Sequence, residues 1–204
     1  MPMNDEIRNI LKSYYEARYL KRIKRSGTSL LLGSQIKESV PEHSFYVSLF
    51  GIIMQHLNPK LDLAKLLVMC IVHDLEEVRL GDINQVNRLY YKQEIDTKAF
   101  NDMWKDSQLG KKLITIHNER HNKQTSEALA AQDCDTLAEL VLEKEYEKLG
   151  NNEAKEWMTF TIKRLKTKEG KQIAKEVLKT RSSKWWEDIK NEIRKKHGVK
   201  PLKY

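Results

Sequence analysis

Between residues 61 and 75 the chain is apolar nearly all the way round a helix, with Leu63, Ala64, Leu66, Leu67, Met69, Cys70, Ile71 and Val72 leaving no polar face. Such a helix has to be enclosed by other elements. It is too short to cross a membrane, which takes about 18 or more apolar residues. It ends in His73-Asp74-Leu75-Glu76-Glu77, so an imidazole and three carboxylates stand at one end of the element expected to be the most buried. The enclosing elements are expected to be helices too, because 204 residues contain only 8 Gly and 4 Pro, and Leu, Ala, Glu and Lys dominate long stretches. The expected fold class is all-α, a helical bundle without strands.

The pattern predicts a first helix over residues 5–19 with Ile7, Ile10, Leu11, Tyr14 and Tyr15 on its core side, then a loop marked by Gly27 and Gly33. Pro41 suits the first turn of a second helix, whose core stripe reads as Phe45, Leu49, Ile52 and Ile53. After the apolar helix, residues 84–91 read as loop, followed by helices near 93–104, 109–117 and 125–149. Gly150-Asn151-Asn152 closes the last of these, and two amphipathic helices fill the remainder. The expected organisation is a core over residues 1–150 with basic C-terminal helices, 151–204, packing on it.

Composition narrows the class. At this length roughly 70% of the unfolded surface can be buried, so no disulfide or structural metal is required. Cys70 and Cys134 both lie in apolar runs, which excludes a cysteine framework and points to a reducing, cytoplasmic setting. The N-terminus MPMNDEIRN does not read as an export signal. The net charge of +8 is concentrated in residues 150–204, which hold 16 Lys/Arg against 7 Asp/Glu. Interleaved Glu makes that segment read as solvated helix faces, with a nucleic-acid patch as the competing reading.

Imidazole and carboxylate together are ligands for a divalent ion, and Glu77, four residues after His73 and three after Asp74, can face the same cavity. Two further candidates are His43, in the first turn of the second helix, and Asp135, a carboxylate amid the apolar residues of the long helix that either faces solvent or is bound to something. Asp133 and Asp135 are about 200° apart on a helix, so at most one of them is expected to point into the core. His117 and His121 also have helical i, i+4 spacing, but Asn118, Glu119, Arg120 and Asn122 around them make a solvated face the expected reading. Trp104, Trp157, Trp185 and Trp186 read as core or dimer contacts.

The order His43, His73-Asp74, Asp135 resembles the H…HD…D signature of HD-domain metal-dependent phosphohydrolases, and the surrounding residues are similar to the 5′-deoxynucleotidase (YfbR-like) family. The similar stretches are Leu20-Lys21-Arg22, Arg25-Ser26-Gly27, Glu38-Ser39-Val40-Pro41-Glu42-His43, His73-Asp74-Leu75-Glu76-Glu77 and Gly81-Asp82-Ile83, with Glu127-Ala128 and Glu145-Tyr146-Glu147 flanking Asp135. The resemblance implies an HD-domain helical bundle binding one divalent ion (Co, Mn, Fe, Mg or Zn) through His43, His73, Asp74 and Asp135. It implies Glu77 as catalytic carboxylate, Asp82 beside substrate and attacking water, and Arg25, with Arg22 as alternative, holding the phosphate. Thr28 stands where the family has a Trp near the sugar, and Gln132 at a commonly basic position. The implied substrate is a nucleoside 5′-monophosphate, above all a deoxyribonucleotide, and the implied assembly a homodimer. The competing readings are another phosphate ester or a nucleoside triphosphate as substrate, or an HD-fold protein binding nucleic acid.

Overall fold

Most helices begin where a short polar side chain accepts a hydrogen bond from its own first turn, and these caps set the frame. The structure, a computed structural model, describes residues 2–27, 37–92 and 94–200. Its helices are α1 (Met3–Ala17), α2 (Val40–Leu57), α3 (Leu63–Val72), α4 (Glu77–Leu80), α5 (Gln85–Arg88), α6 (Glu94–Trp104), α7 (Gln108–Asn122), α8 (Ser126–Lys148), α9 (Glu153–Arg164), α10 (Lys168–Lys179) and α11 (Glu187–His197). Ser39, Asp62, Ser107, Thr125 and Thr167 cap α2, α3, α7, α8 and α10. At α2 the Glu42 carboxylate accepts in return from the Ser39 amide at 2.6 Å, completing a capping box. The fold is all-α, with no strand among the described residues. Lys24 and Ser39 form a single antiparallel bridge, and the Arg25 amide donates to the Glu38 carbonyl at 2.8 Å, which ties Arg25 to the start of α2.

Helix α8 runs through the centre, packed against α2, α3, α7, α9 and α10. Ala128, Ala130, Ala131 and Ala138 let those neighbours approach closely, and Cys134, Leu137 and Leu140 fill the spaces between them. The same buried cluster takes in Val47 and Met54 of α2, Leu66, Met69 and Cys70 of α3, Met158 of α9 and Ala174 of α10. A smaller cluster, Val72, Phe100, Met103 and Trp104, lies under α6. Gly150, at φ +94°, turns the chain from α8 toward α9.

Several expectations change. The most enclosed helix is α8, not α3, where Ile71 is 54% exposed. The buried face of α2 is Val40, His43, Val47, Gly51 and Met54, while Phe45, Leu49, Ile52 and Ile53 are exposed. This helix is apolar on two sides, and the α8 contact selects the side that carries His43. Helix α1 likewise exposes Ile7, Leu11, Tyr14 and Tyr15, whereas Ser13 is buried and donates to the Met103 carbonyl at 2.6 Å. The expected loop over 84–91 contains α5, and α7 continues to Asn122. Trp104 is buried, but Trp185 is 79% exposed. No helix among the described residues is long and apolar enough to cross a membrane.

Asp133 and Asp135 are both used, on different sides of α8. Asp133 is fully buried and accepts from the amides of Lys166 and Thr167 at 2.8 and 2.7 Å and from Thr167 Oγ1 at 2.6 Å. A Cβ at Gly170 would collide with this carboxylate, so a larger residue there would have to push Asp133 off its hydrogen bonds. Asp133→Ala should leave the part-buried amides of Lys166 and Thr167 without their acceptor and cost about 2 kcal/mol, read from urea unfolding. A loss below about 1 kcal/mol would mean that apolar contacts alone seat α10.

Candidate metal centre

The HD pair stands where α3 stops. His73 is the last residue in helical register, and tightened bonds carry the chain on: the amides of Leu75, Glu77 and Val78 donate to the carbonyls of Val72, Asp74 and Leu75. Glu77 therefore stays close to His73 and Asp74 although the regular helix has ended. Hydrogen bonding also selects the His73 tautomer: Nδ1–H donates to the Cys70 carbonyl at 2.8 Å, leaving the lone pair of buried Nε2 with no hydrogen-bond partner among the described residues.

His43 of α2 and Asp135 of α8 meet this end of α3. His43 Nε2 is 3.0 Å and His73 Nε2 3.9 Å from Asp135 Oδ1, and Asp74 Oδ2 lies 2.9 Å from His73 Nε2. Ligand atoms of His43, His73 and Asp135 all fall within 4.8 Å of one another. The other nitrogen of His43 is 3.4 Å from Glu38 Oε2, a carboxylate placed to orient the ring.

Arg25 enters from the loop before α2. Its Nη1 is 3.1 Å from Asp74, 3.3 Å from Asp82 and 4.0 Å from Glu77. Asp82 is held in turn by the Ser26 amide, and its carbonyl accepts from Ser26 Oγ at 2.7 Å. Arg120 of α7 donates to Asp135 Oδ2 at 3.2 Å.

The electrostatics are those of an anionic pocket. Burial works against the Arg25 charge, but Asp74, Asp82, Asp135 and Glu77 outweigh it and raise its pKa. Burial also opposes ionisation of Asp74 and Asp135, yet His73 and Arg25 pull the first well below the carboxylate range, as His43, His73 and Arg120 do the second. Burial, then Asp74 and Asp82, push Glu77 up to about 12. Against burial and Arg25, hydrogen bonds to Asp135 and Glu38 raise His43 to about 9. Surroundings that hold an extra proton on a buried imidazole, together with the orphan Nε2 of His73, fit a divalent cation bound by His43, His73, Asp74 and Asp135.

These groups line a cavity of about 440 Å³ that also exposes Glu76, Arg88, His121, Gln132 and Arg164. His43, His73, Asp74, Asp135, Asp82 and Arg25 all reach it, whereas Glu77 does not line it and lies 4.0 Å from Arg25 Nη1. Arg22 does not: it is exposed, with its guanidinium stacked 4.9 Å over the Tyr19 ring. Thr28 lies outside the described residues. Glu38 and Arg120 were missed from the sequence, although Glu38 lies just before the capped turn that carries His43. His117, expected on a solvated face, is fully buried and stacked on Phe100 at 3.9 Å. Burial, then the Arg120 charge, lowers its pKa to about 3, and burial with His117 lowers His121 to about 3 as well.

Residues 17–178 match the HD domain family model. The 5′-deoxynucleotidase HDDC2 of Dictyostelium discoideum is 25% identical over 150 residues, 69% of this chain and 78% of that protein. Among solved structures, a conserved hypothetical protein from Pyrococcus furiosus superposes with a TM-score of 0.73 at 25% identity, over 83% of this chain and 99% of its own. A predicted metal-dependent phosphohydrolase from Magnetospirillum magnetotacticum MS-1 shares the fold, with a TM-score of 0.67 at 18% identity over 87% of this chain and 94% of its own. The family match extends past residue 150 through α9 and most of α10, the helices that share the central core.

Glu143 in the cavity wall provides a pH test. Its Oε1 accepts from Thr161 Oγ1 at 2.8 Å while Oε2 has no partner among the described residues. Burial, then the Glu139 charge, raise it from 4.5 to about 8. Between those values the folded chain holds a proton that the unfolded chain has lost, so stability falls as pH rises through the window. Glu143→Gln should melt higher than the parent at about pH 8 and no higher at about pH 4. Parallel melting curves across that range would remove Glu143 from the account.

Proposed function

Since the chain belongs to the HD domain family, we propose that it is a metal-dependent phosphohydrolase that removes phosphate from nucleoside 5′-monophosphates, deoxyribonucleotides first among them. The observation that carries this reading is the convergence of His43, His73, Asp74 and Asp135 on the cavity that also holds Arg25 and Asp82. The similarity to a 5′-deoxynucleotidase supports the substrate class.

His43, His73, Asp74 and Asp135 would hold one divalent ion, of Co, Mn, Fe, Mg or Zn, and an ion bound there neutralises a phosphoryl oxygen and acidifies a bound water. The chain's own groups do the rest. Arg25 is a fixed, permanently charged guanidinium, suited to a dianionic phosphate that replaces part of its carboxylate contacts. Asp82 and Ser26 hold the Arg25 loop in place. The negative charge that, with burial, keeps Glu77 protonated is offset once an ion lies beside Asp74, and the freed carboxylate, whose Oε2 has no hydrogen-bond partner among the described residues, then accepts the proton of the attacking water. As the water oxygen bonds to phosphorus and the bond from phosphorus to the 5′-oxygen breaks, the proton returns from Glu77 to the departing oxygen, giving nucleoside and inorganic phosphate.

The working unit in this reading is a homodimer. It is supported by the outward face of α2, where Phe45, Tyr46, Leu49, Ile52 and Ile53 are all exposed at helical spacing. Leu49→Asp with Ile53→Asp should turn a dimer into a monomer in sedimentation experiments and leave the helical content intact. A monomeric parent protein would end this part of the reading.

Phosphate release from ribo- and deoxyribonucleoside monophosphates, measured with each ion after metal stripping, tests the activity. Glu77→Gln should retain the ion and lose about 10²-fold or more in turnover. Arg25→Ala should lose at least about 10-fold with metal content unchanged, whereas Arg22→Ala should match the parent. No release from any monophosphate, or full turnover in Glu77→Gln, would reject the assignment.

A further inference from the structure

The cavity wall carries a second group of ligand-type side chains that the proposed hydrolysis does not use. His117 and His121 stand one turn apart on α7, and Glu76, in the turn after α3, faces them. His117 Nε2 is 3.2 Å from His121 Nε2 and 3.4 Å from Glu76 Oε2, and one ligand atom from each residue falls within 4.8 Å of the others. Glu76 and His117 are buried, and His121 opens onto the cavity.

Hydrogen bonding alone leaves this group unsatisfied. Glu76 Oε2 and His117 Nδ1 are buried with no hydrogen-bond partner among the described residues. If His117 carries its proton on Nε2, that one hydrogen has two acceptors to serve and the Nδ1 lone pair is stranded beside Phe100. If the proton is on Nδ1, Nε2 can accept from His121 Nε2 at 3.2 Å, but the Nδ1 donor is stranded and Glu76 Oε2 still has no donor. A cation between the three residues would take Glu76 Oε2, His117 Nε2 and His121 Nε2 as ligands and give the Glu76 oxygen its partner, with the His117 proton left on Nδ1. Two imidazoles at i, i+4 on a helix and a carboxylate from another element form a donor set for zinc and related ions, with positions left for water or substrate.

We propose that Glu76, His117 and His121 form a second metal site, selective for borderline ions such as Zn²⁺, Fe²⁺ or Co²⁺ over Mg²⁺ and Ca²⁺, on the cavity that holds the first. Two imidazoles in three ligands set that preference. The proposal stands on its own donor atoms and does not require the first site to be read correctly.

The test is metal stoichiometry of the full chain, stripped with chelator, reloaded with Zn²⁺ or Co²⁺ and desalted. The parent should retain about two equivalents, and His121→Ala and Glu76→Gln about one each. Asp135→Asn should also fall to about one, and its combination with His121→Ala to none. Circular dichroism checks that each variant is folded, and Glu76→Gln, nearly isosteric, serves if His121→Ala is not. A parent with one equivalent, removed by His121→Ala but kept by Asp135→Asn, would uphold this site and overturn the first. A parent with no metal, or with metal that both His121→Ala and Glu76→Gln retain in full, would overturn the proposal.

Discussion

Asp74, Glu77, Asp82 and Asp135 are gathered round one buried guanidinium, and the rest of the structure is arranged to make that tolerable. Like charges brought together away from water raise each other's pKa, and a group left unpaired in such a place costs several kcal/mol. Arg25 meets three of the four, while Arg120 and His43 meet Asp135. Glu77 is left as the group that keeps a proton. The remaining excess of negative charge is what a divalent ion offsets, so the same imbalance that strains the fold creates the site.

Holding these groups in place requires elements far apart in sequence to be packed rigidly. Helix α8 does this by being enclosed on several sides and by pairing each buried charge with a different neighbour. Asp133 and Asp135 are two residues apart and chemically identical, yet one holds the amides of Lys166 and Thr167 before α10 and the other reaches His43 and His73. Their roles come entirely from what lies against each side of the helix. Glu143, further along, is paired on Oε1, while its Oε2 has no partner among the described residues.

A similar division runs through α7. Asn118, Glu119 and Arg120 make its sequence read as solvent-facing, but α6 covers it with Phe100, and His117 is enclosed. Arg120, read as a surface residue, turns to Asp135. Polar residues on a helix mark the surface only where no partner lies within reach. Here Phe100 and Asp135 do, and the face becomes part of the cavity.

The helical content, the longer helices and the turn at Gly150 were legible in the sequence, because period, caps and breakers act over a few residues, and the same reading put forward His43, His73, Asp74 and Asp135 as candidate ligands. Which side of α2 is core was not, because both sides are apolar and only the approach of α8 distinguishes them. Nor was the choice between Arg25 and Arg22 as the cation in the cavity. It rests on the contacts between the Arg25 amide and Glu38 and between Ser26 and Asp82, which turn one arginine inward and leave the other on Tyr19. Local spacing determined what each helix is and which residue types stand at its ends. Tertiary packing decided which charges are buried together, since burial and pairing depend on neighbours that spacing along the chain does not encode.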